Sequence, residues 1–352
     1  MKILMIGVSD LRWYSRGHIL SDGLTENKVN VETVFLTKKM KYGRIAFRLL
    51  KRDFDVVIST GKIVLLISWL LKIWHHKPII FDTFISDYDT LVLDRKIVHT
   101  KSFWGRLAWW SDKIAPRLAT ISFLDTKSHI SFFKKEFGLD ESLFRVVYVG
   151  SDEKVFTSSK CVDSGKIIVH FHGTFIPLQG VDVIVRAAKL IENHTNIHIN
   201  CIGRGQTYDV CKKISDDLGL KNISFESMVD LETLHKRIAD STLCLGIFGS
   251  TDKAQRVVPN KVYEALAVRR PLITMDCLAI REVLTHRVNA WLIPTNNPEA
   301  LADAILKLSK NKKIRDKIAK NGYELFKEKY STKAIGKELL EVIEEVIYRK
   351  GV

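Results

Sequence analysis

The stretch IIVHFHGTFIPLQGVDVIVRAAKL, residues 167–190, contains the unit from which the whole chain is built. Residues 167–171 read as a buried strand, a turn with glycine follows, and from Val181 the apolar residues recur at helical spacing. Similar strand–turn–helix units run from one end of the chain to the other. This alternation predicts an α/β protein whose parallel sheets are covered by helices on both faces.

Twelve short apolar segments are predicted as strands, six in each half of the chain: 2–6, 31–35, 56–59, 79–81, 119–121, 146–148, 167–171, 197–202, 223–225, 243–246, 272–274 and 290–293. Between the halves, segment 150–164 is rich in Ser, Asp, Thr and Lys and is predicted to be a linker. A length of 352 residues also favours two domains. We therefore predict two Rossmann-like, doubly wound domains that face each other across a cleft, with ligands at the carboxyl ends of the strands.

The composition narrows the possible functions. The chain is 46% hydrophobic, which excludes a disordered protein, and its 55 Lys and Arg outnumber 40 Asp and Glu. The net charge of +15 predicts an anionic partner: nucleic acid, an acidic membrane face or a phosphorylated small molecule. None of the five cysteines forms a CxxC pair, so we expect reduced thiols and a cytoplasmic protein. The longest apolar stretch, 63–74, is too short to span a membrane and is predicted to be a buried or an interfacial helix.

The most informative loop lies at 248–267, after a predicted strand. Lys253, Arg256 and Lys261 cluster there near a helix that begins at Pro259, where the helix dipole disfavours positive charge. An anionic ligand would explain these cations, and Asn260, Lys261 and Glu264 can converge on it from one helical face. Gly173, after the strand 167–171, allows a phosphate to approach the backbone. The alternative reading is a solvated charged loop that caps a helix.

These residues resemble the retaining glycosyltransferases of family 4, also called glycosyl transferases group 1, which have the GT-B architecture. Their hallmark is a pair of glutamates separated by seven residues; the second contacts the nucleotide ribose and the first contacts the donor sugar. Glu264 matches the second glutamate, whereas Arg256 stands in the place of the first. The resemblance covers the second half of the chain. It implies domains 1–155 and 156–331, with a last helix at 332–352 that crosses back to the first domain.

Members of this family carry an Arg and a Lys after the first strand of the second domain, where they neutralise the diphosphate. The corresponding loop here has Gly173 but neither cation. Our hypothesis is that Lys253, Arg256 and Lys261 supply the charge, with Arg256 and Lys261 acting in catalysis, while Asn260 and Glu264 complete a site for a UDP- or GDP-sugar. The resemblance implies no cofactor and no metal, because cations of the protein balance the charge of the leaving group.

Acids and hydroxyls follow the predicted strand 79–81. Asp82 stands where the resembled family commonly has a histidine that hydrogen-bonds the donor sugar, so it is a candidate catalytic residue. Carboxylates hydrogen-bond sugar hydroxyls well, which makes Asp87 and Asp89, with Arg95, candidate acceptor contacts. Two other readings stay open: a network of helix caps and salt bridges to Arg95, and a Mg²⁺ site.

A membrane surface is predicted in the first domain. Segment 38–52 holds seven Lys and Arg, no acid and an apolar stripe, as basic interfacial helices do, and segment 103–110 adds aromatic residues. The candidate residues are Lys41, Arg44, Arg48, Trp104 and Trp109. An ordinary surface helix is the alternative.

The sequence and the resemblance together predict transfer of a sugar from a nucleotide-sugar to a hydroxyl, with retention at the anomeric carbon. The acceptor is expected to be a glycan or a lipid-linked molecule at the inner face of the cell membrane, where the protein is peripheral. One rival is a nucleotide-sugar epimerase that uses Asp82, Asp87 and His172 as acid and base. The other is a nucleic-acid-binding protein, which the charge suggests but no recognised module supports.

Overall fold

The computed structural model describes residues 1–8, 15–36, 48–159 and 165–348. Contacts divide the chain into two units: Met1–Gly150 with Thr332–Val352, and Ser151–Ser331. The domain boundary predicted from the sequence, after residue 155, lies slightly beyond the division after Gly150. Within the described ranges, no helix combines the length and the apolar composition that crossing a bilayer requires.

The first unit is built on a parallel sheet of six strands in the order β2-β1-β3-β4-β5-β6. The strands are β1 Lys2–Val8, β2 Asn30–Leu36, β3 Val56–Thr60, β4 Ile79–Asp82, β5 Ile121–Leu124 and β6 Phe144–Val146. Its helices are α1 Ser15–Glu26, α2 Lys62–His75, α3 Phe103–Leu118, α4 Lys127–Phe137 and a C-terminal helix, Thr332–Tyr348, with a π-helical segment at Tyr88–Asp94. Every residue of β3, β4 and β5 is buried, as expected of a parallel sheet with helices on both faces.

The second unit repeats this architecture, with strand order β12-β11-β10-β7-β8-β9 and all pairs parallel. The strands are β7 Ile167–His172, β8 Ile197–Ile202, β9 Ile223–Glu226, β10 Leu243–Leu245, β11 Leu272–Met275 and β12 Trp291–Ile293. The helices are α5 Val181–Leu190, α6 Tyr208–Asp217, α7 Leu231–Ala239, α8 Asn260–Ala267, α9 Leu278–Val283, α10 Pro298–Lys310 and α11 Lys312–Leu325. The prediction of two doubly wound parallel sheets is therefore confirmed.

The strand order fixes where a ligand is expected in the second unit. β7 pairs with β8 on one side and with β10 on the other, so the connections from these strands leave in opposite directions. Ligands of open α/β sheets bind at this switch point, outside the carboxyl ends of the strands. The loops after β7 and β10 are the two that border it.

The C-terminal helix belongs to the first unit, because it packs against α1 through two glycines. A Cβ atom on Gly336 would lie 2.0 Å from the carbonyl carbon of Gly23, and a Cβ on Gly23 would lie 2.4 Å from the carbonyl oxygen of Thr332. The two helix backbones therefore touch. The same helix is anchored in the first unit by three buried apolar side chains, Ile335, Leu339 and Ile343.

We expect Gly336→Ala to lower the free energy of unfolding of the first unit by about 3 kcal/mol, because the added methyl group overlaps the backbone of α1. Chemical denaturation followed by circular dichroism measures the change. Gly138→Ala is the control. It has a positive φ of 62° but open space around the new Cβ, so it pays only the conformational cost of about 1 kcal/mol. Equal losses for the two variants would contradict the close helix contact.

Candidate functional site

The loops after β7 and β10 are hydrogen-bonded to each other at the switch point of the second sheet. The amide of Phe248 donates to the carbonyl oxygen of Gln179 at 3.0 Å, and the amide of Gly249 donates to that of Leu178 at 3.2 Å. The β7 loop carries Gly173, and the β10 loop leads into α8. The fold thus brings the two loops predicted to bind the donor to one place.

Lys261, in the first turn of α8, is buried there and only 5% exposed. Its Nζ donates a hydrogen bond to Oε1 of Gln179 and lies 3.7 Å from the centroid of the Phe171 ring. Burial lowers the pKa of Lys261 to about 7, although the nearby Glu264 carboxylate acts in the opposite direction. A dehydrated lysine at the carboxyl end of a parallel sheet is poised to receive an anion, since the anion would restore the favourable interactions of its charged form.

Gly173 is required by the position of this lysine. It has a φ of 145°, and a Cβ there would lie 2.8 Å from the Nζ of Lys261. A side chain at 173 would therefore collide with the ammonium group. The glycine lets the backbone after β7 lie directly beside the lysine.

Two histidines connect Glu264 to the interior of the sheet. His172 Nε2 lies 2.6 Å from Oε2 of Glu264, and His172 Nδ1 lies 3.0 Å from Nε2 of His170. When the Glu264 carboxylate accepts from Nε2 of a neutral His172, the Nδ1 of His172 is an acceptor, and His170 donates to it. Burial holds the pKa of His170 well below its ordinary value, which keeps it neutral. One oxygen of Glu264 is thereby oriented from within the protein.

The predicted donor residues divide into two groups. Gly173, Lys261 and Glu264 lie in this contact group, whereas the half-buried Lys253 and Arg256 lie on the loop that leads into α8. Asn260 is the first residue of α8 and is half-buried as well. Their binding and catalytic roles stay predictions.

The groups that hold the charged side chains of the site in place are not among the residues predicted from the sequence. His170 and Gln179 are absent from that prediction, and His172 is present only as a candidate acid or base of an epimerase. The alternation His-Phe-His at the end of β7 was the available signal, because a period of two places His170 and His172 on one face of the strand. Gln179 gave no signal, because its partner Lys261 is 82 residues away.

In the first unit, Asp82 forms a buried ion pair with Arg16. The Nε of Arg16 donates to Oδ1 at 3.3 Å and to Oδ2 at 3.1 Å, and both side chains are almost completely buried. The same guanidinium donates to the carbonyl oxygens of Tyr148 at 3.1 Å and Val147 at 2.9 Å. Arg16 thus joins α1 to β4, through Asp82, and to the segment after β6. Burial raises the pKa of Asp82 even beside Arg16.

The acids at 87 and 89 lie in a network of caps and ion pairs. Asp87 pairs with Lys62 at 2.6 Å, and the amide of Asp89 donates to the hydroxyl of Ser86 at 2.9 Å. The centre of the network is Asp112, which accepts from Lys62, from the Ser86 hydroxyl at 2.8 Å and from the Tyr88 amide at 2.8 Å. Asp87 thus forms its ion pair with Lys62. The prediction of a network of helix caps and salt bridges had Arg95 as the cation.

Arg95 is half-buried and follows the π-helical segment that contains Asp89. Asp89 itself is fully buried. Roles of Asp87, Asp89 and Arg95 toward an acceptor stay predictions. In the part of the chain that the structure describes, no group of three or more His, Cys, Asp and Glu side chains is placed to hold a metal ion.

The predicted membrane residues fall in three different situations. Lys41 and Arg44 lie outside the described residues, whereas Arg48 is exposed. Trp104 is 65% exposed. Trp109 is only half exposed: its Nε1 donates to Glu136 at 3.0 Å, and its ring packs 5.7 Å from that of Phe137. Trp109 therefore contributes mainly to packing between α3 and α4, and its neighbour Trp110 is the more exposed of the two.

Two doubly wound parallel sheets are the architecture of solved proteins with the GT-B fold. Residues 153–325, nearly all of the second unit, match the family model described as glycosyl transferases group 1. The fold is also that of HepE of Anabaena, solved in complex with UDP. This chain superposes on HepE with a TM-score of 0.73 and 14% identity, over 98% of this chain and 100% of the other.

Curated relatives are distant. An uncharacterized glycosyltransferase of Methanocaldococcus jannaschii is 25% identical over 218 residues, which are 59% of this chain and 56% of the relative. The chain thus spans little more than half of that protein. The phosphatidyl-myo-inositol mannosyltransferase of Mycobacterium leprae is 23% identical over 87% of this chain and 77% of its own length.

The pKa of Lys261 predicts a pH-dependent stability. The pKa of Lys261 is about 7 in the folded chain, and the ordinary pKa of a lysine, as in the unfolded chain, is 10.5. Between these two pH values the folded chain binds fewer protons at this residue than the unfolded chain, so stability rises with pH across that window. We expect Lys261→Met to remove this rise and to stabilise the second unit by about 2 kcal/mol at pH 7 or below, with the difference vanishing above pH 10.5.

Denaturation of the empty protein at pH 6 and pH 9 tests this expectation. Lys312→Met, which changes an exposed lysine of α11, is the control and should leave the pH dependence unchanged. If Lys261→Met destabilises the protein equally at both pH values, the conclusion that burial disfavours the charged form of Lys261 is wrong.

Proposed function

We propose that this protein is a glycosyltransferase that moves a sugar from a nucleotide-sugar to an acceptor hydroxyl. The observation that carries the proposal is the group formed by Lys261, Glu264, His172 and Gly173 at the switch point of the second sheet. It offers a cation for a diphosphate and an oriented carboxylate for ribose hydroxyls. The family match of the same unit supports this assignment.

In the proposed donor complex, Lys261 binds the diphosphate and Glu264 accepts hydrogen bonds from the ribose. Gly173 leaves room for the phosphates to approach Lys261, and Lys253 and Arg256 add charge from the β10 loop. Asn260 lies at the start of the same helix, where it can reach a hydroxyl or a phosphate. Solved proteins of the same fold support UDP as the first nucleotide to test, because HepE was crystallised with UDP and with UDP-glucose.

Catalysis in this proposal comes from stabilising the departing diphosphate. Negative charge develops on its oxygens as the glycosidic bond breaks, and the cations Lys261 and Arg256 interact more strongly with it in a dehydrated site. The leaving phosphate takes the proton of the acceptor hydroxyl on the same face of the sugar, so the anomeric configuration is retained and no separate base is required. The ion pair with Arg16 gives Asp82 a structural role in the first unit, and its catalytic role stays a prediction. Metal-independent reaction is part of the proposal.

The acceptor is proposed to be a glycan or a lipid-linked molecule bound by the first unit at the inner face of the cell membrane. The name of the mycobacterial relative, a phosphatidyl-myo-inositol mannosyltransferase, supports a lipid-linked acceptor. Asp87, Asp89 and Arg95 remain the proposed acceptor contacts.

We expect the unmodified protein to bind UDP. Lys261→Met and Arg256→Met should each weaken the affinity for UDP about tenfold or more, since each variant removes a charge-assisted contact to the diphosphate. Calorimetry at pH 7 and pH 9 measures the affinity. For the unmodified protein, binding should weaken at pH 9, because Lys261 is then largely neutral before the ligand arrives.

Lys312→Met is again the control and should bind UDP like the unmodified protein. GDP and ADP are tested in parallel to identify the base. Unchanged affinity in both Lys261→Met and Arg256→Met, with whichever nucleotide binds, would show that the diphosphate lies elsewhere.

Retention is tested on the sugar itself. With an α-linked UDP-sugar and water or a simple alcohol as acceptor, proton NMR recorded before mutarotation should show the α-anomer of the product. The β-anomer would contradict front-face transfer. Appearance of an epimeric UDP-sugar when no acceptor is present would instead favour the epimerase reading.

A further inference from the structure

The first unit exposes a wide apolar face on two neighbouring helices. On α2 the exposed large side chains include Trp74, at 66%, and on α3 they include Phe103, at 72%, and Trp104, at 65%. The complete face, which we call the α2–α3 face, consists of Ile63, Leu66, Trp69, Leu70, Ile73, Trp74, Phe103, Trp104, Leu107, Trp110 and Ile114. Clusters of exposed large apolar side chains on a folded unit mark a place of interaction.

Both helices cover the same side of the sheet, so their outer faces point the same way. Leu65 of α2 and Ala115 of α3 bury themselves in one cluster with Ile79 and Phe81 of β4. Lys62 and Asp112 form an ion pair that joins the two helices. The exposed residues therefore form a joint surface and not two separate stripes.

The two segments that form the α2–α3 face are mainly positive. Segments 61–78 and 95–118 together contain nine Lys and Arg but a single acid, Asp112, which is buried and paired with Lys62. Acids of neighbouring segments pair with two of these lysines, Asp87 with Lys62 and Asp55 with Lys77, and leave a positive surplus. Lys113 lies over the rings of Trp109 and Trp110, at 4.6 and 5.5 Å from their centroids. Cations beside exposed tryptophans are the composition of surfaces that lie in the headgroup region of an anionic bilayer.

We propose that the α2–α3 face docks the protein on an anionic lipid bilayer, with the exposed Trp, Phe, Leu and Ile side chains inserted among the lipids and the Lys and Arg side chains on the phosphates. The apolar stretch 63–74 is thus an interfacial helix on one side and a core helix on the other. This inference depends on the proposed function at one point only, because the proposed function places the acceptor at the membrane.

A second copy of the chain suits the same face less well than a bilayer. Two copies would oppose two surfaces on which Lys and Arg outnumber the acids, and like charges opposed across an interface are unfavourable. An anionic bilayer supplies both complements at once, because it is apolar inside and negatively charged at its surface.

The test is flotation of the full chain with vesicles of phosphatidylcholine containing phosphatidylglycerol, compared with vesicles of phosphatidylcholine alone. We expect binding to the anionic vesicles, which high salt weakens. Leu70→Gln and Trp74→Gln should each lower the partition coefficient about fivefold, because each removes one inserted side chain. Leu190→Gln is the matched control: Leu190 of α5 is 52% exposed and Leu70 is 50% exposed, but Leu190 lies in the second unit.

The proposal is overturned if the unmodified protein stays with the solution, if Leu70→Gln and Trp74→Gln bind like the control, or if light scattering shows a dimer that these variants dissociate. Calorimetry with UDP on the same samples keeps this result separate from the donor site. Loss of vesicle binding with unchanged UDP affinity supports docking through the α2–α3 face, whereas loss of UDP binding alone concerns only the proposed activity.

Discussion

The burial of the Lys261 ammonium group is the constraint around which the second unit's site is arranged. Removing a cation from water costs several kcal/mol unless other groups take the place of the solvent. Here Gln179 accepts its hydrogen bond and the Phe171 ring faces its charge, yet burial still lowers its pKa to about 7. The site therefore holds electrostatic strain that a bound phosphate would relieve. Functional groups commonly lower the stability of the fold that carries them in this way.

The other features of that site follow from the same constraint. Gly173 has no side chain because one would occupy the space beside Nζ of Lys261. The pair of histidines behind Glu264 orients a carboxylate one turn away from the lysine, and burial keeps His170 neutral by lowering its pKa. A neutral His170 is suited to a place where one charge is already dehydrated. The switch point of the strand order places all of them at one edge of the sheet.

Much of the fold was predictable because buried parallel strands leave a strong local signal. The deviations are instructive: segments 119–121 and 146–148 were predicted as strands, but β5 and β6 lie at Ile121–Leu124 and Phe144–Val146. Their limits are set by pairing, since Ser122 lies opposite Phe144 and Leu124 opposite Val146. Apolar residues such as Val147 and Val149 continue beyond the strand and are buried as well, so composition alone could not locate its end.

The site was predictable only where residue type and local position carried the information. Lys261 and Glu264 stood out as charged residues at the start of a helix, but the burial of Lys261 depends on Gln179, far away in sequence. Asp82 stood out as a carboxylate at a strand end, and its partner Arg16 could not be inferred because the two residues are 66 positions apart. A motif thus locates charges, whereas the tertiary partners decide whether each charge serves a ligand or the fold.

The positive charges of this chain lie in two physically different environments. Lys261 is a single dehydrated cation, and a contact made in such an environment is little affected by dissolved salt. The cations around the α2–α3 face are mostly hydrated, and each contributes only weakly to attraction toward an anionic surface. If both proposals hold, ionic strength acts differently on the two units: salt would release the first unit from a membrane while the second unit kept its nucleotide. Donor binding and membrane attachment would then be separable, because burial, and not the number of charges, determines how strongly each cation acts.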